Sequence, residues 1–382
     1  MRVLIVGAGI GGLASAIALR TKGHDVTVLE RREALGELGA GIQVPPNAVK
    51  VLRRLGVMEA IGERAVAPKA IAARMGVSGR EVFRVPLEDV SERRWGAPYL
   101  VTHRADYIEA LAGALPEGVV RFGAEFASYK SVSGGLEVSL ANGETLEADV
   151  LVGADGIRSR VRENVAVAGE PEFTGNVAWR ATVPVAELGE YAPPNETCAW
   201  FGEGRHAVTY LLRGRELANF VGVVEQDHWK EESWTAQGTR EEALADFAGW
   251  DARVVSIIAH AKAHYRWALF DREPLERWLD GRVVLLGDAA HPMLPFMAQG
   301  AAMAVEDAWV LAECIDDLPE YERRRKARAS AAQAMSRANM GRFHKRGLAR
   351  QLATYGPMWA AGRVLPGVVR ARFDWLYGAE VV

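Results

Sequence analysis

The stretch Arg2-Val-Leu-Ile-Val-Gly7-Ala-Gly9-Ile-Gly11-Gly12-Leu-Ala-Ser-Ala-Ile-Ala-Leu-Arg20 decides the fold. Its first five residues are a short run rich in β-branched side chains, residues 7–12 are glycine-rich, and from Leu13 the apolar residues take helical spacing until Gly23. Residues 26–30 then read as a second strand. Strand, turn, helix and strand in that order form a βαβ unit and predict a parallel sheet with crossover helices. Gly7-Ala-Gly9-Ile-Gly11-Gly12 therefore matches G-x-G-x-x-G where a strand precedes it and a helix opens from it. Gly7 permits the tight turn, Gly9 lets a pyrophosphate approach the backbone, and Gly12 lets the helix pack on the strand. Free N–H groups at the helix start receive the phosphates, helped by the helix dipole. Glu30 stands 18 residues after Gly12 at the end of the second strand. A carboxylate there accepts two ribose hydroxyls of an adenosine and repels a 2′-phosphate, which argues against NADP at this site.

Working outward, Gly153-Ala-Asp155-Gly156-Ile-Arg158-Ser159 and Gly287-Asp288-Ala-Ala-His291-Pro292 each place an aspartate and a glycine directly after an apolar strand. Both strand ends open on the same crevice. The glycine turn alone does not separate FAD from NAD, and these two segments do. Asp288 can hold a ribityl or ribose hydroxyl, and a helix beginning near Gly300 can aim its N–H groups at the pyrimidine edge of a flavin. An NAD domain has no need of either. Taken singly, each aspartate reads equally as a turn residue or a helix N-cap.

The chain has 382 residues, with 46 Lys and Arg against 49 Asp and Glu, and a formal net charge of −3. No bulk charge calls for a nucleic-acid partner. Hydrophobic residues make up 49% and charged residues 25%, as in an ordinary globular protein, and the length suggests roughly two to three domains at about 150 residues each. Cys198 and Cys314 are the only cysteines. They supply neither a disulfide framework nor a thiol metal cluster, so no metal and a reducing, cytoplasmic compartment are expected. The apolar start is broken by glycines where a signal peptide needs an unbroken apolar stretch. No run of about 18 apolar residues predicts a membrane span.

Residues 1–170 read as the first part of a FAD-binding domain, with an inserted sheet segment near 68–98. Within it, residues 136–140 and 145–152 flank Asn142-Gly143, a pair that favours the positive backbone angles of a tight hairpin. Residues 171–280 form a β-sheet substrate domain, rich in Val, Trp, Tyr and Phe and broken by Pro193-Pro194 and residues 202–204. Residues 281–315 return to the first domain, and 316–382 form a C-terminal helical region. Residues 321–350 carry ten Lys or Arg with Glu322 the only acid, a run read as a solvated helix face.

On three separated motifs in this order, the sequence resembles the single-component flavoprotein aromatic hydroxylases, the group that includes para-hydroxybenzoate hydroxylase, over nearly its whole length. Gly39-Ala-Gly-Ile-Gln-Val-Pro-Pro-Asn47, Trp179-Arg180, His291-Pro-Met-Leu-Pro-Phe-Met-Ala-Gln-Gly300 and the ending Phe373-Asp-Trp-Leu-Tyr377 look most like the salicylate hydroxylase, 3-hydroxybenzoate 6-hydroxylase and 6-hydroxynicotinate 3-monooxygenase branch. The resemblance implies an α/β fold in which a Rossmann-like FAD-binding domain is interleaved with a β-sheet substrate domain and followed by C-terminal helices. It implies no separate nicotinamide domain, with NADH or NADPH visiting as transient electron donor. Carried over by position, Gly12, Glu30, Arg31, Arg104, Asp155 and Asp288 bind FAD, and Gly300, Ala301 and Ala302 contact the isoalloxazine. Asp155-Gly156 is also implicated in the pyridine nucleotide interaction, and Arg104, read without the family, is equally a surface arginine at a helix start. The implied enzyme is a monooxygenase acting with O2 on a small aromatic acid or phenol, as a monomer or homodimer. Where the hydroxynicotinate enzyme has a histidine in its Gly-Ile-x segment this chain has Gln43, which favours a benzenoid acid.

Dioxygen reacts poorly with closed-shell organic molecules, so a hydroxylase needs reduced flavin to form a C4a-hydroperoxide, and it must exclude water from it. The electrophilic oxygen calls for an electron-rich ring, and acid or base help is secondary. His206 and Tyr210 sit four apart in a strand-like stretch, on one face. Tyr210 could bond a substrate hydroxyl and His206 could relay its proton, or both could serve packing. Arg180 could meet a substrate carboxylate by a forked pair or an internal acid. Gln299 and Pro295 are expected to line the chamber, and His291 to be a structural hydrogen-bonder. A flavin reductase or dehydrogenase without oxygen insertion, and a nonenzymatic flavin-binding redox module, are the alternative functions.

Overall fold

The computed structural model describes residues 1–36, 40–166, 169–226 and 237–381. Six strands form the first sheet in the order Leu279–Asp280, Val283–Leu285, Val150–Gly153, Arg2–Val6, Asp25–Leu29 and Val120–Arg121. All neighbours are parallel except the first pair. The Ile10–Thr21 helix makes the crossover from Arg2–Val6 to Asp25–Leu29. Val3, Ile5, Val28, Leu151, Val152 and Val284 are buried, as strands covered on both faces require. Val6 pairs with Gly153, and Gly153 with Leu285. Three motifs far apart in sequence thus follow three adjacent strand ends.

Residues 145–152 are not one strand. Thr145–Ala148 pairs with Gly135–Leu140 in a three-stranded sheet completed by Phe126–Val132, and Val150–Gly153 enters the parallel sheet. The chain changes sheet at Asp149, whose carboxylate accepts from the Arg2 N–H at 2.7 Å. The hairpin turn also differs from expectation, because Gly143 has φ +88° and Asn142 lacks a positive φ. Gly143 N–H donates to Leu140 O at 3.0 Å and Leu140 N–H to Glu144 O at 2.9 Å. This is a longer loop, with its single left-handed residue at the glycine.

Seven strands form the second sheet in the order Tyr265–Asp271, Glu172–Pro184, Leu217–Glu225, Arg205–Leu212, Thr197–Gly202, Ala70–Met75 and Glu81–Pro86. A parallel pair, Thr197–Gly202 with Ala70–Met75, joins the early segment to the later strands. Directly paired residues share a face, so the register sorts the side chains. Trp179, Trp200, Ala207 and Phe220 lie on one face, packed with Phe247, Val254 and Ile257 from the Arg240–Asp246 and Ala252–His260 segment. Arg180, His206, Tyr210, Asn219 and Trp267 lie on the other. That second face turns toward the strand ends of the first sheet. The Leu318–Phe343 helix and three shorter helices complete the chain. Among the described residues no helix is long and apolar enough to cross a membrane.

Candidate active site

At the end of the first strand Gly7 has φ +104°, and a Cβ there would lie 2.6 Å from Ala154 O. A Cβ on Gly12 would lie 2.0 Å from Gly7 O, whereas one on Gly9 would meet nothing within 4 Å. Gly7 and Gly12 are therefore packing requirements, and Gly9 leaves room for a ligand. Gly11, passed over in the motif, also has a reason: its Cβ would lie 2.7 Å from Leu286 Cδ2. The helix opening at Gly9 has no side-chain cap and no acid in its first turn, so its N–H groups are left for an outside acceptor. Glu30 accepts from Ala8 N–H and from Arg32 N–H, each at 3.0 Å, which fixes its carboxylate on the rim of the turn. Arg31 is exposed beside it. Gly39 lies outside the described residues.

Asp155 and Asp288 follow the neighbouring strand ends. Burial pushes the Asp155 carboxyl up, although Ser159 and backbone N–H groups oppose it. Its Oδ2 accepts from Arg160 N–H at 2.8 Å, while Oδ1 is buried without a hydrogen-bond partner. Gly156 has φ +83° and open space at its Cβ position. Asp288 is open to the crevice, within a setting that raises its pKa by desolvation against His291, Arg104 and Arg162. A Cβ on Gly300 would be 3.7 Å from Asp288 Oδ1, so that carboxylate faces the start of the Gly300–Glu313 helix. Arg104 opens the Arg104–Gly113 helix, its N–H bonded to Ala40 O at 2.8 Å. Arg162, which no motif singled out, joins the two aspartate turns. Its Nε donates to Ala289 O at 2.6 Å and Nη2 to Asp288 O at 3.2 Å. Burial, and then Arg272, lowers its pKa to about 10.

The Gly300–Glu313 helix also lacks a side-chain cap and a first-turn acid, leaving its positive end toward Asp288. Ala298, two residues before it, is held left-handed at φ +52°, a strained position for a side chain-bearing residue. Gly300 and Ala301 are half-buried, and Ala302 belongs to the core. Gln299 is 1% exposed, and its Oε1 accepts from Asn47 Nδ2 at 3.2 Å. Asn47 Nδ2 also donates to Glu306 Oε1 at 2.6 Å. Glu306 is paired with Arg325 at 2.6 Å and Arg328 at 2.7 Å. Arg325 reaches Asp307 at 2.7 Å, and Asp307 bonds His291 Nε2 at 2.5 Å and Gly287 N–H at 3.1 Å. His291 is thus a buried hydrogen-bonder. Burial pushes the Asp307 carboxyl up, but His291 and Arg325 outweigh it and hold it at about 2. The basic run is correspondingly not just a solvated face, since Arg325 is buried and Arg337 pairs with Asp271.

Between this helix and the second sheet lies an apolar seam that includes Tyr99, Tyr210, Met303 and Tyr377, with Met293 and Met297 partly buried against it. Tyr210 is 3% exposed, and burial raises its pKa against the nearby Arg180. A Cβ on Gly41 would stand 2.3 Å from the Tyr210 ring and 2.7 Å from its hydroxyl. Asn219, unmarked in the sequence, accepts from Gly41 N–H at 2.9 Å. The Tyr99 hydroxyl donates to Gln43 Oε1. Arg180 stacks on Trp267, its guanidinium carbon 4.2 Å from the ring centroid. His206 shares the sheet face with Tyr210, but the expected relay between them is absent. Four residues along a strand span about 13 Å, and His206 Nδ1 instead meets His344 Nε2 at 2.7 Å.

Two sheets meeting over a glycine-turn crevice, with aspartates at the two adjoining strand ends, define a dinucleotide-dependent flavoenzyme. The uncapped helix starts, the open Gly9 position and the unpartnered Asp155 Oδ1 fit FAD. The chain belongs to the family described as FAD binding domain, matched over residues 1–338. It is 36% identical over 387 residues to 3-amino-4-hydroxybenzoate 2-monooxygenase of Streptomyces platensis, covering 99% of this chain and 96% of that protein. It is 38% identical over 391 residues to 3-hydroxybenzoate 6-hydroxylase 1 of Aquipseudomonas alcaligenes, covering 100% and 98%. Klebsiella pneumoniae HpxO, solved with FAD and uric acid, matches with a TM-score of 0.89 at 26% identity, covering 100% of this chain and 98% of that one. The chain is an FAD-dependent monooxygenase of the aromatic hydroxylase type.

Proposed function

We propose that the chain hydroxylates a small hydroxylated benzenoid acid, of the salicylate or hydroxybenzoate class, with NADH or NADPH and O2. The observation that carries this reading is the seam itself. A sheet face bearing Tyr210 and Arg180 closes over the open end of the Gly300–Glu313 helix, with methionine and aromatic side chains between them. The hydroxybenzoate relatives support it. The uric acid of HpxO shows that this fold also takes a purine, so the ring is argued from side chains. Gln43, whose Oε1 accepts from the Tyr99 hydroxyl, offers an amide at the edge of the same seam, complementing Arg180 as a partner for a carboxylate-bearing phenol.

Gly7, Gly9, Gly12, Glu30, Arg31 and Arg104 would hold the adenosine and phosphates, Asp155 and Asp288 the ribityl and ribose hydroxyls, and Gly300 to Ala302 the flavin edge. Bound FAD, reduced by the nicotinamide donor, supplies the electrons that activate dioxygen. Tyr210, kept protonated by burial, orients the substrate hydroxyl through a hydrogen bond, and Arg180 turns one edge of its guanidinium to the carboxylate. The apolar seam excludes water, which favours oxygen transfer over peroxide loss. Residues 1–170 and 281–315 would form the FAD-binding domain and 171–280 the substrate domain. Two buried free thiols accord with a cytoplasmic location.

The test is NAD(P)H oxidation by the purified yellow protein across a panel containing salicylate and 3-hydroxybenzoate, with product identified by mass spectrometry. A phenolic acid should accelerate oxidation and gain one oxygen atom. Acceleration of NAD(P)H oxidation with the acid recovered unchanged and only peroxide formed, across the panel, would refute the assignment.

A further inference from the structure

The Leu348–Val364 helix and the Pro366–Ala371 helix after it carry no residue of the site described above. Among the described residues twelve large hydrophobic side chains are exposed, and six of them, Leu348, Leu352, Trp359, Val364, Leu365 and Val368, fall between positions 348 and 368 at 47–74% exposure. A helix turns about 100° per residue, which puts Leu348, Leu352, Trp359 and Val364 of the first helix within an arc of roughly 160°. Ala349, Ala353, Gly356, Ala360 and Arg363 fill the same arc. The opposite side holds the helix to the protein: Tyr355 is buried and stacks on Phe201 with ring centroids 5.3 Å apart, and a Cβ on Gly362 would lie 3.0 Å from Phe83 Cβ. Together the six side chains expose roughly 600 Å², the upper end for one apolar patch on a monomer. A patch of that size asks for a partner.

Large and small residues are arranged on this face symmetrically about Gly356. When two such helices run antiparallel with a two-fold axis at Gly356, Leu352 stands opposite the partner's Ala360 and Trp359 opposite the partner's Ala353. Each large side chain then meets a small one, as a self-complementary contact requires. Nothing lies within 4 Å of a Cβ built on Gly356, so the helices can approach closely at the axis. Charge decides the orientation. Residues 351–362 carry no charged side chain, and no charge is buried at the centre. Glu203 is exposed at the start of the helix, where it accepts from Gly347 N–H at 2.9 Å and from Gln351 Nε2 at 3.3 Å. Arg363 stands at the other end, its guanidinium carbon 4.2 Å from the Trp359 ring centroid. Antiparallel pairing sets Arg363 toward the partner's Glu203, whereas parallel pairing would set like charges together. Of the cations near the start, Arg346 is held by Glu225 at 2.5 Å, and Arg350 lies outside the arc.

We propose that this face is the interface of a homodimer, in which the Leu348–Val364 helices of two copies pair antiparallel about a two-fold axis at Gly356. A stable pair needs about 800 Å² from each partner. The exposed apolar side chains supply most of that, and the alanines between them with a rim of Glu203, Gln351 and Arg363 supply the rest. The pairing also braces the second sheet, because Tyr355 on the back of the helix stacks on Phe201 of the Thr197–Gly202 strand. The interface uses no residue of the flavin crevice or the seam, so each copy keeps a complete site of its own.

Sedimentation velocity on the FAD-loaded full chain tests it. At micromolar concentration the parent should run at twice the 41.6 kDa of one chain; a monomer there would overturn the proposal. Trp359→Glu and Leu352→Glu should each raise the dimer dissociation constant about a hundredfold or more, with circular dichroism and flavin absorbance as in the parent. A parent-like dimer in both variants would place the interface elsewhere and sink the idea. Cross-linking reads the register, and the buried Cys198 and Cys314 leave it clear. Gly356→Cys should form a disulfide across the axis in air, while Arg350→Cys, about 18 Å along the helices from its mate, should not. A cross-link at 350, or none at 356, would refute the antiparallel axis. The competing occupant is an anionic lipid surface. A monomeric parent that floats with phosphatidylglycerol vesicles and not with phosphatidylcholine vesicles would assign the face to lipid and reject the dimer.

Discussion

Gly41 and Tyr210 compete for one volume, since a methyl on Gly41 would stand 2.3 Å from the tyrosine ring. Gly41→Ala must push Tyr210 aside, at a cost of about 1–3 kcal/mol for overpacking. It should lower both the melting temperature and the turnover while FAD occupancy holds. Tyr210→Phe keeps the ring and removes only the hydroxyl, so stability should change little. Hydroxylation should fall roughly a hundredfold, as read by product formation per flavin; an unchanged rate would remove Tyr210 from the chemistry. These two residues also show what a sequence discloses. Gly7 and Gly12 of the first turn are legible because a positive φ and the Gly7 carbonyl, both within one βαβ unit, require them, whereas Gly11 answers to Leu286 and Ala304 far along the chain. Gly41 is silent because its reason is a side chain on a distant strand, and Asn219 and Arg162 are silent because their partners are backbone groups far along the chain. Asp307 adds a pH signature. Its carboxyl is held at about 2 against an ordinary 3.8, so its contribution is full above the ordinary value and is lost as pH falls toward the folded one. Linkage gives a loss of roughly 1 kcal/mol by about pH 3. Denaturant melts of the parent should lose that much more than Asp307→Asn between about pH 5 and 3; equal losses would reject the assignment.

At the scale of elements, the Gly300–Glu313 helix is positioned from behind by buried charge. Glu306 and Asp307 are fully buried, and Arg325, 1% exposed at its side chain, bridges them. Such a cluster is stable only while complete, because removing one partner leaves an uncompensated buried charge. Arg325→Met should cost about 3–5 kcal/mol and loosen FAD, because Asn47, Gln299 and the helix start share the network. A chemical melt together with a flavin dissociation measurement checks both, and a stable variant with parental FAD affinity would refute the coupling. Helix and strand order here is legible from periodicity, since residues 282–286 and those beyond Val305 each carry a regular apolar pattern. The pairing of Arg325 is not legible, because a run of cations looks the same whether it faces water or buried carboxylates on another helix. The strand break at Asp149 is hidden for a related reason: apolar alternation continues across it, while the Asp149 N–H donates to Arg2 O and its carboxylate accepts from the Arg2 N–H, which moves the chain to another sheet.

On the scale of the whole molecule, the sheets meet along the Tyr99–Tyr210–Met303 seam, and the C-terminal segment closes one side of it. Asp374 pairs with Arg94 at 2.6 Å and accepts from Trp95 Nε1 at 2.8 Å. Arg328 donates to the carbonyls of Trp375 and Leu376 at 2.7 and 2.8 Å. Tyr377 is thereby held with its ring centroid 5.1 Å from that of Trp95 and 5.8 Å from that of Tyr99. The ending resembles the family as a string of letters, but its place in the seam is settled only by the fold, through contacts with residues 94–99. If this ring is part of the wall that keeps water out, its loss should uncouple electron use from oxygen transfer. Tyr377→Ala should raise the share of NAD(P)H that ends as hydrogen peroxide severalfold in the presence of a productive phenolic acid, and iodide should quench the flavin fluorescence more readily. Because removing a large buried ring costs about 3–5 kcal/mol, Asp374→Asn serves as the milder companion. It keeps the ring but weakens the Arg94 pair, and should give a smaller shift in the same direction. Peroxide shares equal to the parent's in both folded variants would mean that water is excluded without the C-terminal segment, and that the segment's contacts with Trp95 and Tyr99 serve stability alone.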